Sequence, residues 1–209
     1  SDLSLPSFEE FWEKGYFEVP TPKIEKIMFD KFRKNPSRFP LQTPSGKIEI
    51  SSETISSFQL TDCHSHPCWY EPYEWLGNVD EYPLHLISNQ PKYRLHSQLD
   101  NAEMSQKDKI HGKEPVMINS KDALDRDIKN GDIVLLYNAR GRVLAGARIS
   151  DNVMPGVVVL STGAWFDPDY DLNIERHGNP NVLTKDVGTS SLGQGPTCHT
   201  TLVELKKTN

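Results

Sequence analysis

Apolar residues between positions 82 and 205 fall in short runs separated by Gly, Asn, Asp and Pro. The runs are 82–88 (YPLHLIS), 115–118 (PVMI), 133–137 (IVLLY), 143–149 (VLAGARI), 157–160 (VVVL) and 200–205 (TTLVEL). Runs of this length, β-branched and bounded by turn residues, predict strands. Asn138-Ala139-Arg140-Gly141 predicts the hairpin turn joining the third and fourth. Asn119 or Ser120 caps a brief helix through Asp127. Many short strands with tight turns and little helix predict a small barrel. The fold class is therefore mainly β with short helices (α+β), with the barrel domain over 81–209.

The pattern upstream is different. Ser7 and Glu10 stand in the Ser-x-x-Glu capping arrangement, and Phe8, Phe11, Trp12 and Tyr16 recur at helical spacing. Gly15 and Pro20-Thr21-Pro22 are expected to stop that helix. Thr43-Pro44-Ser45-Gly46 predicts a turn, and the alternation over 47–52 predicts a strand. An irregular stretch rich in proline and aromatics follows over 62–77. No self-contained core emerges from 1–80, which reads as an extended, partly helical segment continuing from something larger. The start, Ser1-Asp2-Leu3-Ser4, has neither the charged nor the apolar region of a signal peptide, and is read as an internal cut.

Two polar stretches exceed what a small barrel needs for its connections. Residues 89–113 and 162–198 carry little periodicity, yet they include Trp165, Phe166, Val182, Leu183 and Leu192. Long loops that keep apolar anchors are ordered, and long ordered loops in a compact domain are usually functional. Composition narrows what they bind. The chain is globular, with 36% hydrophobic and 25% charged residues, and its net charge is −6. That balance argues against a nucleic-acid partner. No apolar run is long enough for a membrane span.

Three groups of residues offer binding chemistry. Ser88-Asn89-Gln90-Pro91-Lys92-Tyr93-Arg94-Leu95-His96-Ser97-Gln98 directly follows a strand. A guanidinium such as Arg94 binds phosphate in bidentate fashion. His96, Ser97 and Gln98, with Ser88 and Gln90, can meet the edge of a heterocycle. A solvated loop is the alternative. In Gly178-Asn179-Pro180-Asn181 two amides flank a stiffening proline, again suited to a heterocycle or, alternatively, to a surface turn. In Thr189-Ser190-Ser191-Leu192-Gly193-Gln194-Gly195 the glycines could bring backbone N–H groups to an anion, or serve as a linker. Asp62-Cys63-His64-Ser65-His66-Pro67-Cys68 holds ligand types that zinc accepts, though not at Cys-x-x-Cys spacing. A zinc-bearing interaction module without redox activity is the alternative reading. No nucleophile motif or carboxylate pair stands out, so no catalytic residue is assigned.

In order and spacing these motifs resemble the C-terminal molybdopterin-dinucleotide-binding domain of the dimethyl sulfoxide reductase family. The resemblance is carried by 82–88, by Arg94-Leu95-His96-Ser97-Gln98, by Asn130-Gly131-Asp132 and by Asn138-Ala139-Arg140-Gly141. It continues through Gly163-Ala164-Trp165-Phe166-Asp167-Pro168, His177 to Thr184, and Thr189-Ser190 to Gln194-Gly195. Upstream it includes Phe11-Trp12 and 43–49. Within the family the chain looks most like the trimethylamine-N-oxide reductase and biotin sulfoxide reductase branch. The resemblance implies a double-psi β-barrel. It also implies that Ser88, Gln90, Arg94, His96, Ser97, Gln98, Asn181, Gln194 and Gly195 line part of a bis(molybdopterin guanine dinucleotide) cofactor. It implies a longer parent that reduces N-oxides or S-oxides by oxygen-atom transfer, with this segment inactive alone. The serine that ligates molybdenum in this branch would lie upstream of it. Implied partners are the upstream domains, the small oxide substrate and a c-type cytochrome donor. A bacterial periplasmic address is favoured over a cytoplasmic one.

Overall fold

A computed structural model describes residues 4–20, 27–79 and 81–208. Its elements in chain order are α1 (Phe8–Lys14), α2 (Asp30–Lys34), α3 (Glu53–Ser57), β1 (Leu84–Ile87), α4 (Glu103–Asp108), β2 (Pro115–Ile118) and α5 (Ser120–Leu124). They continue with β3 (Ile133–Tyr137), β4 (Arg142–Ile149), β5 (Val157–Leu160), β6 (Pro168–Asp169), β7 (Ile174–Glu175), a 3₁₀ turn (Pro180–Val182) and β8 (Leu202–Lys207).

Six strands close on themselves in the order β2-β5-β1-β8-β3-β4, and β4 returns to β2. This is the expected double-psi barrel. Each barrel strand turns alternate residues inward, because side chains on a strand point to opposite faces. Leu84 and Leu86, Val116 and Ile118, Val134 and Leu136, Val158 and Leu160, and Val203 and Leu205 form one buried cluster. On β4 the inward residues are Val143, Ala145 and Ala147. The two alanines suit a narrow barrel, whose interior has little room. β6 and β7 extend the sheet beyond β4.

Pairing directions matter for function. β1 and β5 run parallel, with Ile87 opposite Val159. The chain therefore leaves both strands at the same end of the barrel, and the two long polar loops start side by side. β8 lies between β1 and β3, antiparallel to both.

The chain divides into two compact units, Ser1–Ser52 and Glu53–Asn209. The described residues 53–79 thus belong to the same unit as the barrel. Glu74 is one of the ties. Its carboxylate takes both terminal nitrogens of Arg140 at 2.6 and 2.9 Å, accepts the Leu202 N–H at 2.8 Å and lies 3.4 Å from Lys185 Nζ. In the first unit α1 has the expected capping box and ends at Gly15 in the left-handed conformation, yet it buries none of its residues. Thr21 and Pro22, part of the expected stop, lie outside the described residues, as do Ser1, Asp2 and Leu3. The turn at Thr43–Gly46 forms, with Gly46 N–H donating to Thr43 O at 2.9 Å. The strand expected over 47–52 does not: the segment is bends, with no ladder along it. Alternation without a neighbouring strand has nothing to hold it extended.

Candidate functional site

The two loops that leave β1 and β5 are laced together from their first residues. Thr162 N–H donates to Asn89 O at 2.9 Å, and Ser161 Oγ donates to Asn89 Oδ1 at 2.9 Å. Further along, the first loop bends sharply. His96 and Leu99 have φ of 50° and 60°, a left-handed conformation uncommon for such residues and often found at functional positions. The His96 carbonyl faces Gly163 so closely that a Cβ at Gly163 would lie 2.0 Å from it. Only glycine permits this approach, and the φ of 92° there favours glycine as well.

Between the loops is a hollow of about 400 Å³ lined by His96, Ser97, Gly163, Trp165, Asn179 and Asn181 among others. The Asn179 amide is fixed by donation to Ala164 O at 3.0 Å, and its Oδ1 accepts the Asn181 N–H at 3.0 Å, starting the 3₁₀ turn. The side chains of Ser97 and Asn181 have no hydrogen bond among the described residues. No lining residue carries a carboxylate or a permanent positive charge. A hydroxyl, amides and an imidazole around an open, aromatic-walled hollow suit a neutral, hydrogen-bonding heterocycle.

Of the residues expected from sequence, His96, Ser97 and Asn181 come together here. Gln90 stands behind His96: its Oε1 accepts the His96 N–H at 3.2 Å and its Nε2 donates to His96 Nδ1 at 3.0 Å. Ser88 is half-buried at the end of β1, and Gln98 N–H closes a turn onto Leu95 O at 3.0 Å; neither lines the hollow. Gln194 and Gly195 belong to a separate loop closed by the bridge between Gly188 and Pro196. The Gln194 amide donates to Ser190 O at 2.9 Å, within that loop.

Arg94, expected at a phosphate, does not line the hollow and lies in a buried charged cluster behind it. Its side chain is 3% exposed. Nη2 lies 3.0 Å from Glu114 Oε2 and donates to Thr162 O at 3.2 Å. Nε donates to His96 O at 3.2 Å and is 3.4 Å from Asp100 Oδ1. Nε and Nη2 are thus both engaged by protein groups. Lys109 joins the cluster, 2.8 Å from Asp100 Oδ1 and 3.9 Å from Glu114 Oε2. Burial pushes the Asp100 carboxyl up, but Lys109, the Trp165 N–H and Arg94 together hold it below the ordinary carboxylate range. For Glu114 burial is the stronger influence and its carboxyl is raised, against the pull of Arg94 and Lys109.

Sequence reasoning missed this cluster, and also Glu175, which is buried and accepts the N–H groups of Asp167, His177, Gly178 and Asn179 at 2.7–3.1 Å. Residue type alone does not distinguish a buried charge from a solvated one. Asn179 and Gly163 stand within motifs that carry the family resemblance, and their spacing is the available signal.

The zinc alternative finds no support. Among the described residues no three His, Cys, Asp or Glu side chains are placed to hold a metal ion. His64 Nδ1 is hydrogen-bonded to the Tyr70 hydroxyl, and Cys63, Cys68 and Cys198 are unpaired.

A family model described as "Molydopterin dinucleotide binding domain" matches residues 84–202. Trimethylamine-N-oxide reductase of Salmonella typhi is 49% identical over 98% of this chain, which covers 25% of that protein. Biotin sulfoxide reductase of Cereibacter sphaeroides is 46% identical over 98% of this chain, covering 27% of that protein. Dimethyl sulfoxide/trimethylamine N-oxide reductase of the same organism is 42% identical over 99% of the chain and covers 26% of that protein. The chain thus spans about a quarter of the length of these curated relatives. Among solved structures, acetylene hydratase from Pelobacter acetylenicus superposes with a TM-score of 0.66 over 97% of this chain and 28% of its own, at 16% identity. At that identity the likeness concerns the fold.

Proposed function

From the premise that the chain belongs to the molybdopterin dinucleotide-binding domain family, we propose that it is the C-terminal cofactor-gripping part of a longer molybdenum reductase of N-oxides or S-oxides. The observation that carries this reading is the hollow between the β1 and β5 loops, with Ser97 and Asn181 unengaged on its walls. The residues fit the group on two counts. Glycine at 163 lets the His96 backbone close against the second loop, which brings the two walls of the hollow together. The donor set of hydroxyl, amide and imidazole matches the edge of a pterin or guanine. Because no lining side chain is permanently cationic, the phosphates would be neutralised by groups outside this hollow.

When bound, the cofactor would supply oxygen-atom transfer, with two electrons and two protons carrying the oxygen to water. This chain's own residues bind and orient. His96, Ser97 and Asn181 would read the heterocycle edge, Trp165 would wall the hollow, and Gln90 would hold the imidazole of His96 in place. Residues 1–80 would continue from the upstream catalytic domains of the parent. A c-type cytochrome donor and a periplasmic address complete the reading.

The test is purification of the full-length protein without oxygen, followed by assay for molybdenum, for guanine nucleotide and for oxidation of a reduced viologen dye. Stoichiometric molybdenum and dye oxidation with trimethylamine N-oxide, dimethyl sulfoxide or biotin sulfoxide are expected. Absence of molybdenum and guanine nucleotide from a folded, cofactor-supplied preparation would overturn the reading. Cell fractionation and oxidation of an added reduced c-type cytochrome check the address and the donor.

A further inference from the structure

Arg94, Asp100, Lys109 and Glu114 put two cations and two carboxylates inside the rim, each side chain no more than 4% exposed. Burying ions carries a large desolvation cost, and apolar side chains of similar size would often stabilise as well. What ions add is direction, because hydrogen bonds fix angles as well as distances. The bonds leaving the cluster go to the walls of the hollow. Arg94 reaches the carbonyls of His96 and Thr162, both at 3.2 Å. Asp100 Oδ2 accepts the Trp165 N–H at 3.1 Å, and the Trp165 indole N–H donates to Ser97 O at 2.8 Å. On the third side Glu114 N–H donates to His177 O at 3.0 Å, and Lys109 Nζ is 3.4 Å from His177 Nε2. His177 Nδ1 donates to Trp165 O at 3.1 Å and lies 4.0 Å from Asp100 Oδ2.

We infer that Arg94, Asp100, Lys109 and Glu114 are positioning residues that set the gap between 96–97 and 162–165 before any ligand arrives, so that the hollow is preformed for a heterocycle edge. The inference rests on the cofactor-binding reading above. A preformed site does not have to order its loops at the moment of binding, which favours tight retention. Arg94 is central because a guanidinium can serve two carbonyls and two carboxylates at once. An ammonium in its place keeps the charge but not the fork.

The test uses the full-length protein with Arg94→Lys, and with the charge-balanced pair Arg94→Met/Glu114→Gln. Amide hydrogen exchange is followed in the apoprotein, and guanine nucleotide released by acid is measured in the loaded protein. In both variants exchange is expected to rise at least tenfold over 95–98 and 162–166 while β3 and β4 keep wild-type protection. Bound nucleotide is expected to fall severalfold. Unchanged exchange in the rim overturns the inference. So does an equal rise in the barrel strands, or failure of both variants to fold, since either assigns the cluster to overall stability. Wild-type nucleotide content judges the cofactor reading separately: if it is nil, that reading fails while the exchange pattern still decides what the four residues do.

Discussion

The barrel wall and the rim above it are held by different forces. The wall is built from alternating Leu, Val, Ile and Ala that bury one continuous cluster, so its stability is nearly indifferent to direction. The rim has few apolar anchors and is held by buried ion pairs and side-chain-to-carbonyl bonds. Hydrophobic burial closes a fold, and directional polar bonds fix the shape of a site. The two regions should therefore respond differently to substitution.

The largest effect is expected in the wall. Leu136 is fully buried, and Leu136→Ala should cost about 3 kcal/mol through lost transfer energy and the cavity left behind. Denaturant unfolding would report it, and a loss below about 1 kcal/mol would mean the core relaxes as freely as the rim. Next is Gly163→Ala. The added methyl meets the His96 carbonyl and sits on an unfavourable φ, so roughly 1–3 kcal/mol of strain should concentrate in the rim. The expected signature is depleted cofactor with the barrel's circular dichroism unchanged, and normal cofactor content would sharpen the comparison in the opposite sense.

A smaller effect is expected where 53–80 is fastened to the barrel. Burial raises Glu74, but the bonds from Arg140 and from the Leu202 N–H, with Lys185 nearby, hold its carboxyl below the ordinary 4.5. A carboxyl depressed in the folded state contributes stability that is fully present above its unfolded value and is lost as pH falls through the folded one. Glu74→Gln should cost about 1.5 kcal/mol at pH 7, the low end of the range for a hydrogen bond to a charged group, because the amide keeps one acceptor oxygen. The difference from wild type should shrink on acidification below 4.5, which urea midpoints at several pH values would show. The smallest effect is expected in α1. Ser7→Ala removes the acceptor for the Glu10 N–H and should cost about 1 kcal/mol of local helix stability. Amide exchange in Phe8–Lys14 should report it.

Much of the wall is legible in the sequence, and little of the rim is. The runs at 115–118, 133–137 and 157–160 coincide with β2, β3 and β5, because short β-branched stretches between turn residues have few other outcomes. Ser7 and Glu10 formed their capping box for the same local reason. The helix capped by Asn119 ends at Leu124, short of Asp127. The site depends on distant pairs. His96 and Gly163 meet because β1 and β5 are parallel, and no local pattern states that. Arg94 reads as a phosphate ligand in the sequence, and its burial against Asp100 and Glu114 is visible only in the fold.

The position of β8 between β1 and β3 also has a consequence for the order of events during synthesis. A ribosome delivers β1 and β3 long before β8, so two strand edges wait uncapped while the rest of the loops emerge. The tube cannot seal, nor its mouth take shape, until 202–207 is threaded between strands already made. The hollow at that mouth is therefore the last feature of the domain to be completed, although most of its lining is translated earlier.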